Sequence, residues 1–234
     1  MLSARARGVI TSRYRRTLTR AALSAVAAGL PVVPGAWWSV SAQRFECDLA
    51  GCPRSGLHPA VHGTGAGGRA GIAGVAGGLS AHAVRTPEAV LARWNRQPYS
   101  VLVPTGEACD VVDVPASLGR ALAVRLDARS ALGPVIAAGT RWFFLTAPGG
   151  QLPGLGGDVL VHGQGSWIML PPSLGPGGDR AGWLVRPVRR VSPARYGWSL
   201  PDRDEVIRLI APVSVLGLRS GRPKGARQAS PTPA

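Results

Sequence analysis

The chain has 234 residues, 45% of them hydrophobic, which suits one sizeable core or two small ones and excludes a wholly disordered chain. Its 32 Gly and 21 Pro argue against a mainly helical bundle, and its three Cys cannot all pair within one chain, which excludes a complete disulfide framework. The net charge of +15 is that of a polyanion binder, but it is concentrated at the ends. Residues 1–20 hold six Arg and no acid, residues 217–234 hold Arg219, Arg222, Lys224 and Arg227 and no acid, and the body keeps only +5.

Taken in order, residues 1–16 read as a disordered basic leader and 17–29 as a helix ended by Gly29 and Pro31. A short buried strand follows over 30–33. Arg15-Arg16 ahead of the apolar stretch 21–36 admits a second reading, a twin-arginine export signal. Pro31, Pro34 and Trp37-Trp38 speak against it, and the odd cysteine count favours a cytoplasmic protein. No apolar stretch is long enough to cross a membrane as a helix, so no membrane partner is expected.

Residues 44–62 form a compact loop, and 63–80 a Gly/Ala-rich insertion. Thr86-Pro87-Glu88 opens a helix to about residue 95, with Val90, Leu91 and Trp94 on one face. Ser100–Pro115 reads as two strands broken by a Pro-Thr-Gly turn, and 117–127 as a helix. Strands are expected from residue 133 and over 141–146. A hairpin turned at Gly163–Gly165 is expected over 158–170, then a strand over 182–188. A last helix over 202–209 precedes a basic tail, 213–234, expected to be disordered. The order predicts one α+β domain over 17–212, with a mixed, largely antiparallel central sheet flanked by helices.

Three constellations have the residue types for chemistry. Cys47, Cys52, His58 and His62 lie in one short loop with spacing C-x4-C-x5-H-x3-H; thiolate and imidazole are ligands that tetrahedral zinc prefers. The alternative is two free cysteines and two surface histidines. Asp110 and Asp113 interrupt an apolar strand, and a buried acid is costly unless paired. Two-metal nucleotidyl transfer places its carboxylates two apart on a strand, hence on one face. These two are three apart and face opposite ways, and the position that would hold the second acid is Pro115. Asp158 and His162 share a face of the next hairpin and are expected in one cleft with Asp113, or else at the surface.

These pieces together resemble the bifunctional DNA primase–polymerase N-terminal domain of the archaeo-eukaryotic primase superfamily, in its actinobacterial form. The resemblance runs through AALSAVAAGLPVVPG, CDLAGCPRSGLHP, the Thr86-Pro87 helix, the PTG turn at 104–106, DVVDVP, GPV at 133–135, RWFFL and GSWIMLPPS. It implies an RRM-like half packed on a small α/β half, and magnesium or manganese in active members. It also implies two acids on the strand matching DVVDVP, a histidine on the strand matching RWFFL, and an acid on the strand matching DVLVH. Carried over by position, only Asp113 survives. The second acid is Pro115, the histidine strand has none, and the third acid falls near Leu160 with Asp158 two residues early. A further family cysteine is replaced by Phe45, and His62 is the substitute fourth zinc ligand.

The resemblance therefore implies a catalytically degenerate domain that binds DNA or nucleotides through a basic groove and tails. The alternatives are an active nucleotidyltransferase using Asp113, Asp158 and His162, and an exported protein of unrelated fold.

Overall fold

The computed structural model describes residues 4–49, 52–54, 56–61, 78–150, 155, 157–175, 178–192 and 195–210. His62, nearly all of the Gly/Ala-rich insertion and the basic tail lie outside the described residues. The helices are α1 (Ala4–Ala27), α2 (Pro87–Trp94), α3 (Ala116–Asp127) and α4 (203–210). The strands are β1 (Val33–Gly35), β2 (Trp37–Ser39), β3 (Arg44–Glu46), β4 (Ser100–Pro104), β5 (Asp110–Pro115) and β6 (Val135–Ala138). They continue with β7 (Arg141–Thr146), β8 (Leu160–His162), β9 (Trp167–Met169), β10 (Gly182–Val185), β11 (Arg189–Ser192) and β12 (Arg195–Trp198).

The α+β arrangement is as expected, and every pair among the described strands is antiparallel. A three-stranded sheet has the order β1-β4-β9, and a five-stranded sheet the order β10-β6-β7-β5-β8. β2–β3 and β11–β12 are separate hairpins that the sequence reading missed.

Two cores follow from this division. One lies between the sheets and under α1 and α2, joining Leu18, Ala22, Val90 and Trp94 to Leu102, Val111, Ile136 and Leu145. The other fills the far side of the five-stranded sheet, where Val112, Val114 and Phe144 meet Leu122 and Leu126 of α3 and Val206 of α4.

Helix α1 departs from the sequence reading, because the residues expected to be a disordered leader continue the helix back to Ala4. From Thr11 onward its buried positions, Leu18, Ala22 and Ala25, recur at helical spacing. The Arg-rich first half lacks that apolar period but contains no proline, so the helix has no stop there. Gly29 ends it at φ 81, as Leu30 donates back to the Ala25 carbonyl. The stretch that admitted an export-signal reading is therefore built into the domain: Ala22, Ala25, Leu30, Val32 and Val33 are buried, and β1 pairs with β4. None of the described helices is long and apolar enough to cross a membrane.

Helix α2 begins as its sequence predicts. Thr86 accepts from the Ala89 amide, Pro87 occupies the first turn, and Trp94 donates its indole N–H to the Tyr99 carbonyl at 2.9 Å. Val90 and Trp94 are buried, whereas Leu91 is turned outward.

The expected hairpin over 158–170 is not one. β8 pairs with β5 in the five-stranded sheet and β9 with β4 in the three-stranded sheet. The chain changes sheets at 163–166, beside the Pro-Thr-Gly turn, where it also changes sheets between β4 and β5. The two crossings are tied together: Thr105 donates its amide to the Ser166 carbonyl at 3.0 Å and its hydroxyl to the Gly163 carbonyl at 2.6 Å.

Candidate functional site

Strand β5 places its two acids on opposite faces, as its spacing requires. Asp110 shares the face of Val112 and Val114 and points into the second core. There its Oδ2 accepts from Arg203 Nη1 of α4 at 3.0 Å and from the Gly149 amide at 2.9 Å. Both side chains of this ion pair are nearly inaccessible, at 3% for Arg203 and 2% for Asp110, so the pair fastens α4 to the sheet rather than facing a ligand.

Asp113 lies on the other face, in a cross-strand row of Trp183, Ile136, Phe143, Asp113 and Leu160 running over five strands. Its carboxylate is 8% exposed and both oxygens are engaged. Arg141 Nε donates to Oδ1 at 2.7 Å, and His162 Nε2 lies 3.2 Å from Oδ2. Arg141 stands opposite Pro115 on the neighbouring strand, and its Nη2 also reaches the backbone carbonyls of Asp113 (3.2 Å) and Asp158 (2.7 Å). His162 is held from behind by Ser166, whose Oγ lies 3.0 Å from Nδ1. Phe143 packs edge-on to the same imidazole at 6.3 Å between ring centroids.

Of the three residues expected to converge, Asp113 and His162 meet and Asp158 does not join them as an acid. Asp158 is an exposed turn residue before β8; it contributes its carbonyl, and its carboxylate makes no ion pair among the described residues. The physical reason is that β8 begins only at Leu160, so the strand periodicity that put Asp158 on the Asp113 face does not extend to it. Arg141 was the residue missed. In sequence it counted only as the lack of a histidine, while its role comes from the β5–β7 register, which sets it against Pro115.

The second cluster is in the loop after β3. One ligand atom each from Cys47, Cys52 and His58 lies within 4.8 Å of the others, and these residues can hold a metal ion. Cys52 Sγ and His58 Nε2 are 3.5 Å apart. His58 Nδ1 lies 2.7 Å from the Gly56 carbonyl, which accepts its proton and leaves Nε2 as the free lone pair facing the thiols. Burial pushes the His58 pKa below its ordinary value, which favours the neutral, ligating form. Burial also raises the Cys47 thiol, with Cys52 and Asp48 adding to the effect against a backbone hydrogen bond at Leu49. Phe45, two residues before Cys47, is buried and packs edge-on to Trp38, so it fills space instead of offering a donor. The third cysteine, Cys109, is isolated in the core, where burial pushes its thiol to about 12.

A family model described as bifunctional DNA primase/polymerase, N-terminal, matches residues 22–196, about three quarters of the chain. No curated protein and no solved structure matches it. The match begins inside the apolar stretch of α1, so that stretch is part of the family domain, and the alternative of an unrelated fold is overturned. The matched span carries the β1, β4 and β5 core, both acid-bearing faces of β5 and the Cys–His loop, and with that coverage the chain belongs to the bifunctional DNA primase/polymerase N-terminal family.

Proposed function

We propose that this domain is a catalytically degenerate member of its family that binds nucleic acid or nucleotides without joining them. The observation that carries this reading is the Arg141–Asp113 ion pair. Two-metal phosphoryl transfer needs several carboxylates converging on the cations that neutralise the triphosphate. Here Asp113 stands alone on its face, Pro115 replaces the adjacent acid, and a guanidinium already sits 2.7 Å from the carboxylate. These residues do not fit a magnesium or manganese pair. The alternative, an active nucleotidyltransferase built on Asp113, Asp158 and His162, loses its second acid because Asp158 offers only a carbonyl.

Part of the Asp113 row stays accessible for binding. Phe143 and Trp183 are half-buried aromatics that pack on the first core beside the fully buried Ile136, and Arg141 Nη1 has no partner among the described residues. Aromatic sheet faces flanked by cations bind bases and phosphates through stacking and charge. The basic ends of the chain add an electrostatic attraction that does not depend on sequence.

Purified protein supplied with primed template, nucleoside triphosphates and magnesium or manganese is expected to incorporate nothing above a protein-free control. Robust synthesis that disappears in Asp113→Ala would overturn the degenerate reading.

We also propose that the Cys47–Cys52–His58 cluster holds one structural zinc, with His62 as the fourth ligand. The thiolate–imidazole donor set and the orienting bond to Gly56 support it. Metal analysis of gently purified protein is expected to give about one zinc per chain, lost in Cys52→Ser together with several degrees of melting temperature. Metal-free protein with unchanged melting would show that these cysteines are simply free.

A further inference from the structure

We propose that the outward face of α1 is a docking surface for the phosphate backbone of nucleic acid, separate from the Asp113 face. Helix α1 contains no Asp or Glu anywhere along Ala4–Ala27. Its buried side is Leu18, Ala22 and Ala25. Counting 100° per residue, Arg13, Arg16 and Arg20 lie together on the opposite side. All three are exposed and make no ion pair or hydrogen bond among the described residues.

An ordinary solvated helix face alternates charge sign, because like charges three or four apart destabilise the helix. This face carries that cost with no compensating acid. Its neighbours add to the charge. Arg15 donates to the Asn95 carbonyl at 3.1 Å, which brings the end of α2 with exposed Arg96 alongside. Arg180 lies over the Tyr14 ring at 4.9 Å. Glu88, the one acid of α2, is in its first turn, at the end away from that contact. Asp179, beside Arg180, is exposed.

The chemistry favours nucleic acid over the other polyanions. Lys224 is the single lysine of the chain, so the face is built from planar guanidinium forks that match phosphate oxygens. Arg13 to Arg20 spans about 10 Å at 1.5 Å per residue. That is roughly three phosphate-to-phosphate rises along one strand of a duplex, about 3.4 Å each. A bilayer surface is the poorer fit, because the apolar side that an interfacial helix inserts into lipid is already buried in the core.

The test measures the affinity of the full chain for a short DNA duplex across a salt series. Combining Arg13→Gln, Arg16→Gln and Arg20→Gln is expected to weaken binding roughly tenfold or more and to reduce the salt slope by about 2–3, close to one per lost contact. Arg16→Gln alone is expected to lower the slope by about one. The three Arg→Lys replacements together keep the charge and are expected to retain most of the slope. A full chain with Arg219, Arg222, Lys224 and Arg227 changed to Gln is expected to keep the α1 contribution.

Wild-type affinity and slope in the triple Gln variant would overturn the proposal. So would loss of all salt dependence with the tail substitutions alone, or binding to anionic phosphatidylserine vesicles with none to DNA. These outcomes are independent of nucleotide incorporation, so the surface and the degenerate reading of the Asp113 face succeed or fail separately.

Discussion

Replacing Asp110 with alanine is expected to lower the unfolding free energy by about 3–5 kcal/mol, the range for removing one partner of a buried ion pair. The Arg203 guanidinium is 3% exposed and has its main counter-charge in Asp110; its other carboxylate, on Asp204, is 66% exposed and screened by water. Alanine leaves that charge in the core and frees the Gly149 amide that Asp110 also held. Asp110 Oδ1 is buried with no hydrogen-bond partner among the described residues, so the described contacts leave part of the pair's desolvation cost unrecovered. The double replacement Asp110→Leu with Arg203→Met is therefore expected to cost less than either single change. Urea unfolding of the four proteins in a double-mutant cycle measures this. A single-variant loss below about 1 kcal/mol would mean that the pair is more hydrated than its geometry indicates.

The second large effect is expected at Gly106. Its φ of 96 is a conformation that L side chains rarely adopt, and an added Cβ would lie 2.2 Å from Gln164 Cα and 2.4 Å from its amide nitrogen. These are backbone atoms of the other sheet-crossing segment, so no rotamer change relieves the overlap. Gly106→Ala is expected to cost about 3 kcal/mol. The damage also has a direction, because Thr105 holds Gly163 and Ser166, and Ser166 holds the His162 ring against Asp113. Hydrogen exchange is the sharper readout: protection should fall first at Thr105 and Ser166, before the β5–β7 ladder. A neutral substitution with unchanged protection would contradict the tight apposition of the two crossings.

Sequence legibility followed the range of the interactions that decide each element. Helix α2 was readable because a cap residue, a first-turn proline and an apolar face are all local signals. Strand β7 was readable from a run of aromatic and aliphatic residues, with the same bounds in sequence and structure. The 158–170 segment misled because two apolar runs around Gly163–Gly165 look alike whether they pair with each other or with β5 and β4. The opposite orientation of Asp110 and Asp113 was legible from strand periodicity. The partners of those acids were not, since Arg203 is 93 residues from Asp110 and Arg141 is 28 from Asp113. The Cys47–Cys52–His58 cluster was legible as a set because its three described members fall within one loop.

The ion pair opposite Pro115 also bears on the history of this chain. An acid introduced at position 115 would appear directly across from Arg141 and would be neutralised by it, leaving a divalent cation no vacancy. Loss of Arg141 first would strip a carboxylate that is only 8% exposed of its counter-charge and weaken the sheet before any benefit arrived. Each single step toward a two-acid face is therefore unfavourable while the paired change is not. A pair of this kind acts as a ratchet, holding descendants to the arrangement they inherit.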